Sequence, residues 1–171
     1  GFQNDIDNLI DTPRGTGVPP IGTDDSGRPQ YMPVNVNQAR VRGVEASLRG
    51  QLAPMLRMSG NYTLLDARDL DADRRLDYRP RHNVNLQLDW QVTDATTAFV
   101  RGQHLGEQQS GEVTVDPYSL FDAGLTHRLN DRFSLRAGVL NLADTRTDSF
   151  EDAYAFVERG RAVYVGLNAG F

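Results

Sequence analysis

The sequence predicts an all-β protein, and more narrowly a transmembrane antiparallel β-barrel, on three observations. Apolar residues recur at every second position, most plainly from Gly160 to Phe171. There Val163, Val165, Leu167, Ala169 and Phe171 alternate with Tyr164, Gly166, Asn168 and Gly170. Successive strand side chains point to opposite faces, so the segment has one apolar face and one polar or small face. The connections alternate too, short turns with long polar loops, as in outer-membrane barrels and unlike Greek-key sandwiches. Finally, no apolar run approaches the ~18 residues of a membrane helix. Barrel strands, by contrast, are polar on average, in keeping with 39% hydrophobic and 24% charged residues among 171.

Taken in order, Gly1 to Ile10 carries Phe2, Ile6 and Ile10 among Asn and Asp, a weak strand signal. Asp11 to Met32, rich in Pro, Gly, Thr and Asp, reads as a long loop. Val34 to Leu52 reads as a strand, Ala53-Pro54 as a tight turn, and Leu56 to Leu64 as a cleanly alternating strand. Asp66 to Arg81 is a charged loop. In the next strand Val84, Leu86, Leu88, Trp90 and Val92 face away from Asn83, Asn85, Gln87, Asp89 and Gln91. After the turn at Thr93-Asp94-Ala95, Thr96 to Gly106 is a weaker strand, because Phe99 and Val100 fall on opposite faces. Glu107 to Pro117 is a polar loop. Tyr118 to Leu129 and Phe133 to Leu142 are strands joined by the turn Asn130-Asp131-Arg132, and Ala143 to Arg159 is the last long loop. Links of two, about sixteen, three, about eleven, three and about seventeen residues thus take turns. Trp90, Tyr62 and Phe133 sit where an interfacial aromatic girdle falls.

The count is about eight strands and no helix. The net charge of −5 and the lack of a basic stripe argue against nucleic-acid binding. With no Cys there is no thiol chemistry or disulfide framework. The pattern begins in mid-strand at Gly1 without a leader, so residues 1–171 read as the C-terminal portion of a longer protein.

Four stretches, in this order along the chain, carry a family likeness. They are Ala39-Arg40-Val41-Arg42-Gly43-Val44-Glu45, Arg79-Pro80-Arg81-His82-Asn83, Asn141-Leu142-Ala143-Asp144, and Gly160-Arg161 through to Phe171. They resemble the C-terminal end of a TonB-dependent outer-membrane receptor, of the ferric-siderophore branch. Ala143 stands where that family usually has an aromatic. The resemblance implies a 22-stranded plugged barrel in the outer membrane of a Gram-negative bacterium, with this chain supplying about eight C-terminal strands. It implies a non-enzymatic receptor without a cofactor, engaging outer-membrane lipid, a ferric siderophore, and TonB through an N-terminal region outside this chain. It also implies that Val163, Val165, Leu167 and Phe171 serve as the signal read by the barrel-assembly machinery, by strand addition to an open edge.

Candidate ligand-binding residues are Arg74, Arg75 and Arg81, in or beside one long loop. A ferric catecholate is anionic, and a guanidinium offers it fixed, permanently charged donors. The simpler reading is that they pair with nearby Asp or with lipopolysaccharide phosphates. Tyr31, Tyr118, Tyr154 and Phe156 lie at loop edges, as stacking platforms or interface anchors. Asp69, Asp71 and Asp73 alternate, but Arg74 and Pro80 occupy the calcium-loop positions that require Gly and Glu. His82, His104 and His127 lack paired-ligand spacing. Ser119 and Ser134 lack the spacing of a nucleophile with its base. Two other readings are a self-contained eight-stranded barrel with a structural or adhesive role, and a receptor for haem, cobalamin or another nutrient.

Overall fold

The computed structural model describes residues 1–11, 21–30, 33–111, 113–147 and 158–170, with the backbone alone at 11, 29 and 34–37. The strands are β1 (Phe2–Asp11), β2 (Gly22–Thr23), β3 (Pro29–Gln30), β4 (Val34–Ala53), β5 (Leu56–Asp69), β6 (Arg74–Arg75) and β7 (His82–Thr93). They continue with β8 (Thr96–Leu105), β9 (Gln108–Ser110), β10 (Val113–Val115), β11 (Tyr118–Arg128), β12 (Phe133–Leu140) and β13 (Ala162–Ala169). Eight of them form one antiparallel meander in the order β1-β4-β5-β7-β8-β11-β12-β13, with β6 attached to β5. β1 and β13 do not pair with each other, so the meander is an open arc rather than a small closed barrel.

Cross-strand register sets each side chain against its like. One row reads Gly50, Met58, Leu88, Val100, Ala123, Val139 and Val163. The row below it reads Leu56, Trp90, Ala98, Leu125, Ala137 and Val165. This face has no cover within the chain: Val100 is 50% exposed, Trp90 52% and Val163 74%. On β4 the apolar belt runs from Val44 to Leu52, about 26 Å along the strand and about 20 Å along a membrane normal at a tilt of ~40°. Above it the same face turns charged, with Arg42 bonded to Asp66 at 2.9 Å and Arg40 to Asp5 at 2.6 Å. Partial burial works against the Asp66 carboxylate, yet the hydrogen bonds from Arg42 and Arg68 win and hold its pKa below the usual value. The expected loop from Asp66 is therefore strand up to Asp69, because above the belt both faces meet water and charge is cheap there.

The opposite face carries Ser47, Asn61, Asn85 and Gln103 in one row, with Asn85 Nδ2 donating to Asn61 Oδ1 at 3.0 Å. Two glycines interrupt the polar rows. A Cβ on Gly138 would lie 2.6 Å from Tyr164 Oη, and one on Gly124 would lie 2.7 Å from Phe99 Cε1. The two rings thus lie over the paired glycines and fill the gap that missing side chains leave. This is why Phe99, adjacent to outward Val100, points inward and weakens the alternation of β8.

Among the described residues the buried side chains sit at the long-loop end and not along the lower strands. Ala39, Ala67 and Leu76 form one cluster, joined by Ile6, Leu9, Val41 and Leu65. Val115, Ser110 and Thr147 are the most enclosed side chains. The loops expected at 11–32 and 107–117 contain the hairpins β2–β3 and β9–β10, strands too short to show a period. Short turns at residues 54–55, 94–95 and 129–132 occupy the other end.

Substituting Val100→Arg places a charge at mid-belt and should lower stability in lipid vesicles by about 2–4 kcal/mol, whereas Thr97→Arg on the inner face should stay within ~0.5 kcal/mol. Denaturant titration of the folded full-length protein in vesicles measures both; equal costs would mean that the outer face does not meet lipid.

Candidate functional site

The loop-end rim and the inner wall below it hold the groups that can meet a ligand. β6 pairs with the upper part of β5, placing Arg74 opposite Asp69 and Arg75 opposite Arg68. Adjacent strand residues face opposite ways, so the pleat separates the two arginines. Arg74 turns toward buried Asp69 and Asp77, at 3.8 and 3.9 Å. Arg75 pairs with Glu107 across the neighbouring loop at 2.8 Å. Arg81 is exposed and makes no side-chain bond among the described residues, while its backbone fixes the loop base through Leu65 N→Arg81 O and Arg81 N→Glu107 O. Asp69 is engaged locally, its Oδ1 accepting from the Asp71 and Ala72 amides at 3.0 Å each.

The loops brace one another. Tyr78 N donates to Gln109 O, and Ser110 Oγ bonds Tyr78 Oη at 3.1 Å. Tyr118, expected at a loop edge, is buried and donates its hydroxyl to Glu158 at 3.0 Å. Tyr31, Tyr154, Phe156 and Phe171 lie outside the described residues. Of the other terminal-strand residues, Val163, Val165 and Leu167 stand on the outer face at 62–74% exposure, and β13 pairs only with β12.

The last long loop is latched by Asn141, the first residue of the Asn141-Leu142-Ala143-Asp144 stretch, whose role its sequence does not reveal. Asn141 is buried with φ 50°, and its Nδ2 donates to Thr145 O at 2.7 Å and Arg159 O at 3.0 Å. Its Oδ1 accepts from Thr145 N, and its own amide donates to Asp122 Oδ1, both at 2.9 Å. Asp122 also receives Arg101, through Nε at 3.1 Å, so the inner wall and the loop base share one carboxylate. Asp144, at φ 54°, accepts the Arg161 amide at 2.7 Å. That bond, opposed by slight desolvation and helped by the charges of Arg146 and Arg161, lowers its pKa. Asn tolerates positive φ and its short amide reaches local backbone, so the motif works as loop closure. Ala143 is exposed.

All three histidines meet a hydroxyl on the outer face: His82 with Tyr62 at 2.9 Å, His104 with Ser119 at 2.9 Å and His127 with Thr96 at 2.8 Å. Ser119 and His104 thus come within hydrogen-bond reach, which their spacing did not reveal. No carboxylate bonds to His104 among the described residues, and the pair lies on the exposed outer face without the orienting third group that nucleophilic catalysis needs.

The family model described as "TonB dependent receptor-like, beta-barrel" matches residues 1–142. The chain belongs to that family. Curated relatives include the ferric enterobactin receptor of Pseudomonas aeruginosa, 31% identical over 99% of this chain and 26% of the relative. An iron-regulated outer membrane virulence protein of Vibrio cholerae is 27% identical over 99% of the chain and 28% of the relative. Among solved structures, a Pseudomonas aeruginosa ferric enterobactin receptor variant in complex with enterobactin superposes with a TM-score of 0.76 at 29% identity, covering 99% of this chain and 28% of that one. The siderophore receptor PirA from Acinetobacter baumannii shares the fold, with a TM-score of 0.74 at 24% identity, again over 99% and 28%. The chain therefore spans a little over a quarter of the length of these relatives. The family is one of receptors and not of enzymes.

Two outcomes test the latch. Asn141→Ala removes the partner of the Thr145 amide and of the Thr145 and Arg159 carbonyls, all only partly buried, and should cost about 1–2 kcal/mol locally, read as faster hydrogen exchange at Thr145. Because the native pKa of Asp144 is lowered, its contribution is complete above the ordinary value of 3.8 and is lost as pH falls through the native value. Exchange protection at Arg161 should therefore drop only in that acid range, and Asp144→Asn should abolish the pH dependence.

Proposed function

We propose that this chain is part of the barrel wall of a Gram-negative outer-membrane receptor that takes up a ferric siderophore, of the anionic catecholate class, by TonB-coupled transport. The observation that carries this reading is the agreement, over nearly the whole chain, with receptors named for ferric enterobactin. An apolar outer belt and a polar inner face suit a wall between lipid and a wet lumen.

In this reading the long loops capture the chelate at the cell surface. Release into the periplasm follows when TonB, engaging a region outside residues 1–171, displaces a plug that fills the lumen. The outer residues Val163, Val165 and Leu167, together with Phe171, present the closing strand to the barrel-assembly machinery. The wall itself performs no catalysis. Of the three candidate arginines, Arg81 makes no side-chain bond among the described residues, which leaves its guanidinium for an anion. Arg75 can contribute by leaving Glu107, whereas Arg74 serves chiefly to neutralise Asp69 and Asp77.

Disrupting the gene in iron-starved cells should abolish uptake of one ferric siderophore, and removal of TonB should do the same; normal uptake of every ferric chelate tried would reject the reading. In the intact receptor, Arg81→Ala should raise the half-saturating chelate concentration about tenfold. Arg74→Ala should instead reduce the amount of folded receptor in the membrane.

A further inference from the structure

The inner wall carries two apolar side chains among its polar rows. Leu120 and Leu140 lie on the polar face, inward of Phe121 and Val139, and Leu140 is 38% exposed there. They floor a concavity of about 290 Å³ just beneath the base of the last long loop. Its walls bring Arg101, Gln103 and Asn85 from β8 and β7, and Glu158 and Arg159 from the loop. The acidic members are already engaged: Asp122 holds Arg101 and the Asn141 amide, and Glu158 accepts from Tyr118. The donors are not exhausted. Arg159 is exposed and makes no side-chain bond among the described residues, and Arg101 remains 51% exposed beside Asp122.

We propose that this concavity is a binding subsite for one aryl-oxyanion arm of the chelate. The ring lies on Leu120 and Leu140, and its oxygens take hydrogen bonds from Arg159, Arg101 and the Gln103 amide. The inference rests on the transport reading above and adds the residues and the ligand moiety. A volume near 290 Å³ lies at the small end of ligand sites, about 300–1,000 Å³, so it admits an arm and not a whole tris-chelate. Guanidinium groups suit this oxygen pair because two parallel N–H donors match two adjacent acceptors. An apolar floor adds what a purely anionic ligand would not use. The guanidinium of Arg101 is held by Asp122, which also fixes the loop base, so the subsite is oriented before the ligand arrives.

The test uses the full-length receptor in detergent, with the ferric complex of a synthetic hexadentate tricatecholate as probe. Arg159→Ala should weaken binding about tenfold or more; Arg159→Lys should restore part of it. Leu140→Ser should weaken binding several-fold through lost ring contact. Unaltered detergent-resistant electrophoretic mobility checks that each variant is folded. Parent-like affinity in folded Arg159→Ala, or in folded Leu140→Ser, overturns the subsite while leaving the transport reading intact. Failure of the parent receptor to bind any ferric chelate removes the transport reading, and the subsite with it.

Discussion

Everything in this structure depends on lateral pairing of strands that have no core of their own. In a bilayer, water cannot satisfy backbone amides and carbonyls, so each strand must find its partners in its neighbours. The eight-strand meander meets that demand along its length, and the sheet is stabilised as a continuous ribbon rather than as a packed sandwich. The side-chain rule follows directly. Both faces are spoken for by something outside the sheet, one by lipid chains and the other by a wet interior, so two residues in every pair along a strand have opposite chemistry.

Among the described residues, packing of the ordinary protein kind appears only where the strands rise above the belt. There Ala39, Ala67 and Leu76 make a small apolar cluster, and the loops lean on one another through Tyr78, Ser110 and Tyr118. The same height marks the change from outward apolar residues to the ion pairs of Arg40, Arg42 and Asp66. A long strand such as β4 therefore passes through two solvents, and its residues change character at the boundary without any break in hydrogen bonding.

Rim and wall are mechanically joined. Asp122 bonds the guanidinium of Arg101 below and the amide of Asn141 above, and Asn141 gathers the two ends of the last long loop. A receptor needs loops that hold a pose over a fixed wall, since any ordering deferred until binding subtracts from affinity. The glycine pair beneath Phe99 and Tyr164 serves the wall in a different way, letting two rings lie flat where side chains would otherwise crowd.

The alternation of Val84 to Val92 and of Val163 to Phe171, with the rhythm of short and long links, was enough by itself to give the eight long strands and the residues that share a face on each, though not the short strands within the loops. These are local consequences of a two-residue repeat and need no knowledge of what lies across the sheet. The sequence also placed Arg74 and Arg75 in one loop, but adjacency in sequence says nothing about the pleat that sends them to opposite faces. Likewise the roles of Asn141 and Asp122, the meeting of His104 with Ser119, and the apolar floor of Leu120 and Leu140 were decided only by tertiary structure. Each depends on the register between neighbouring strands of the meander, and register is fixed by pairing that no single segment specifies.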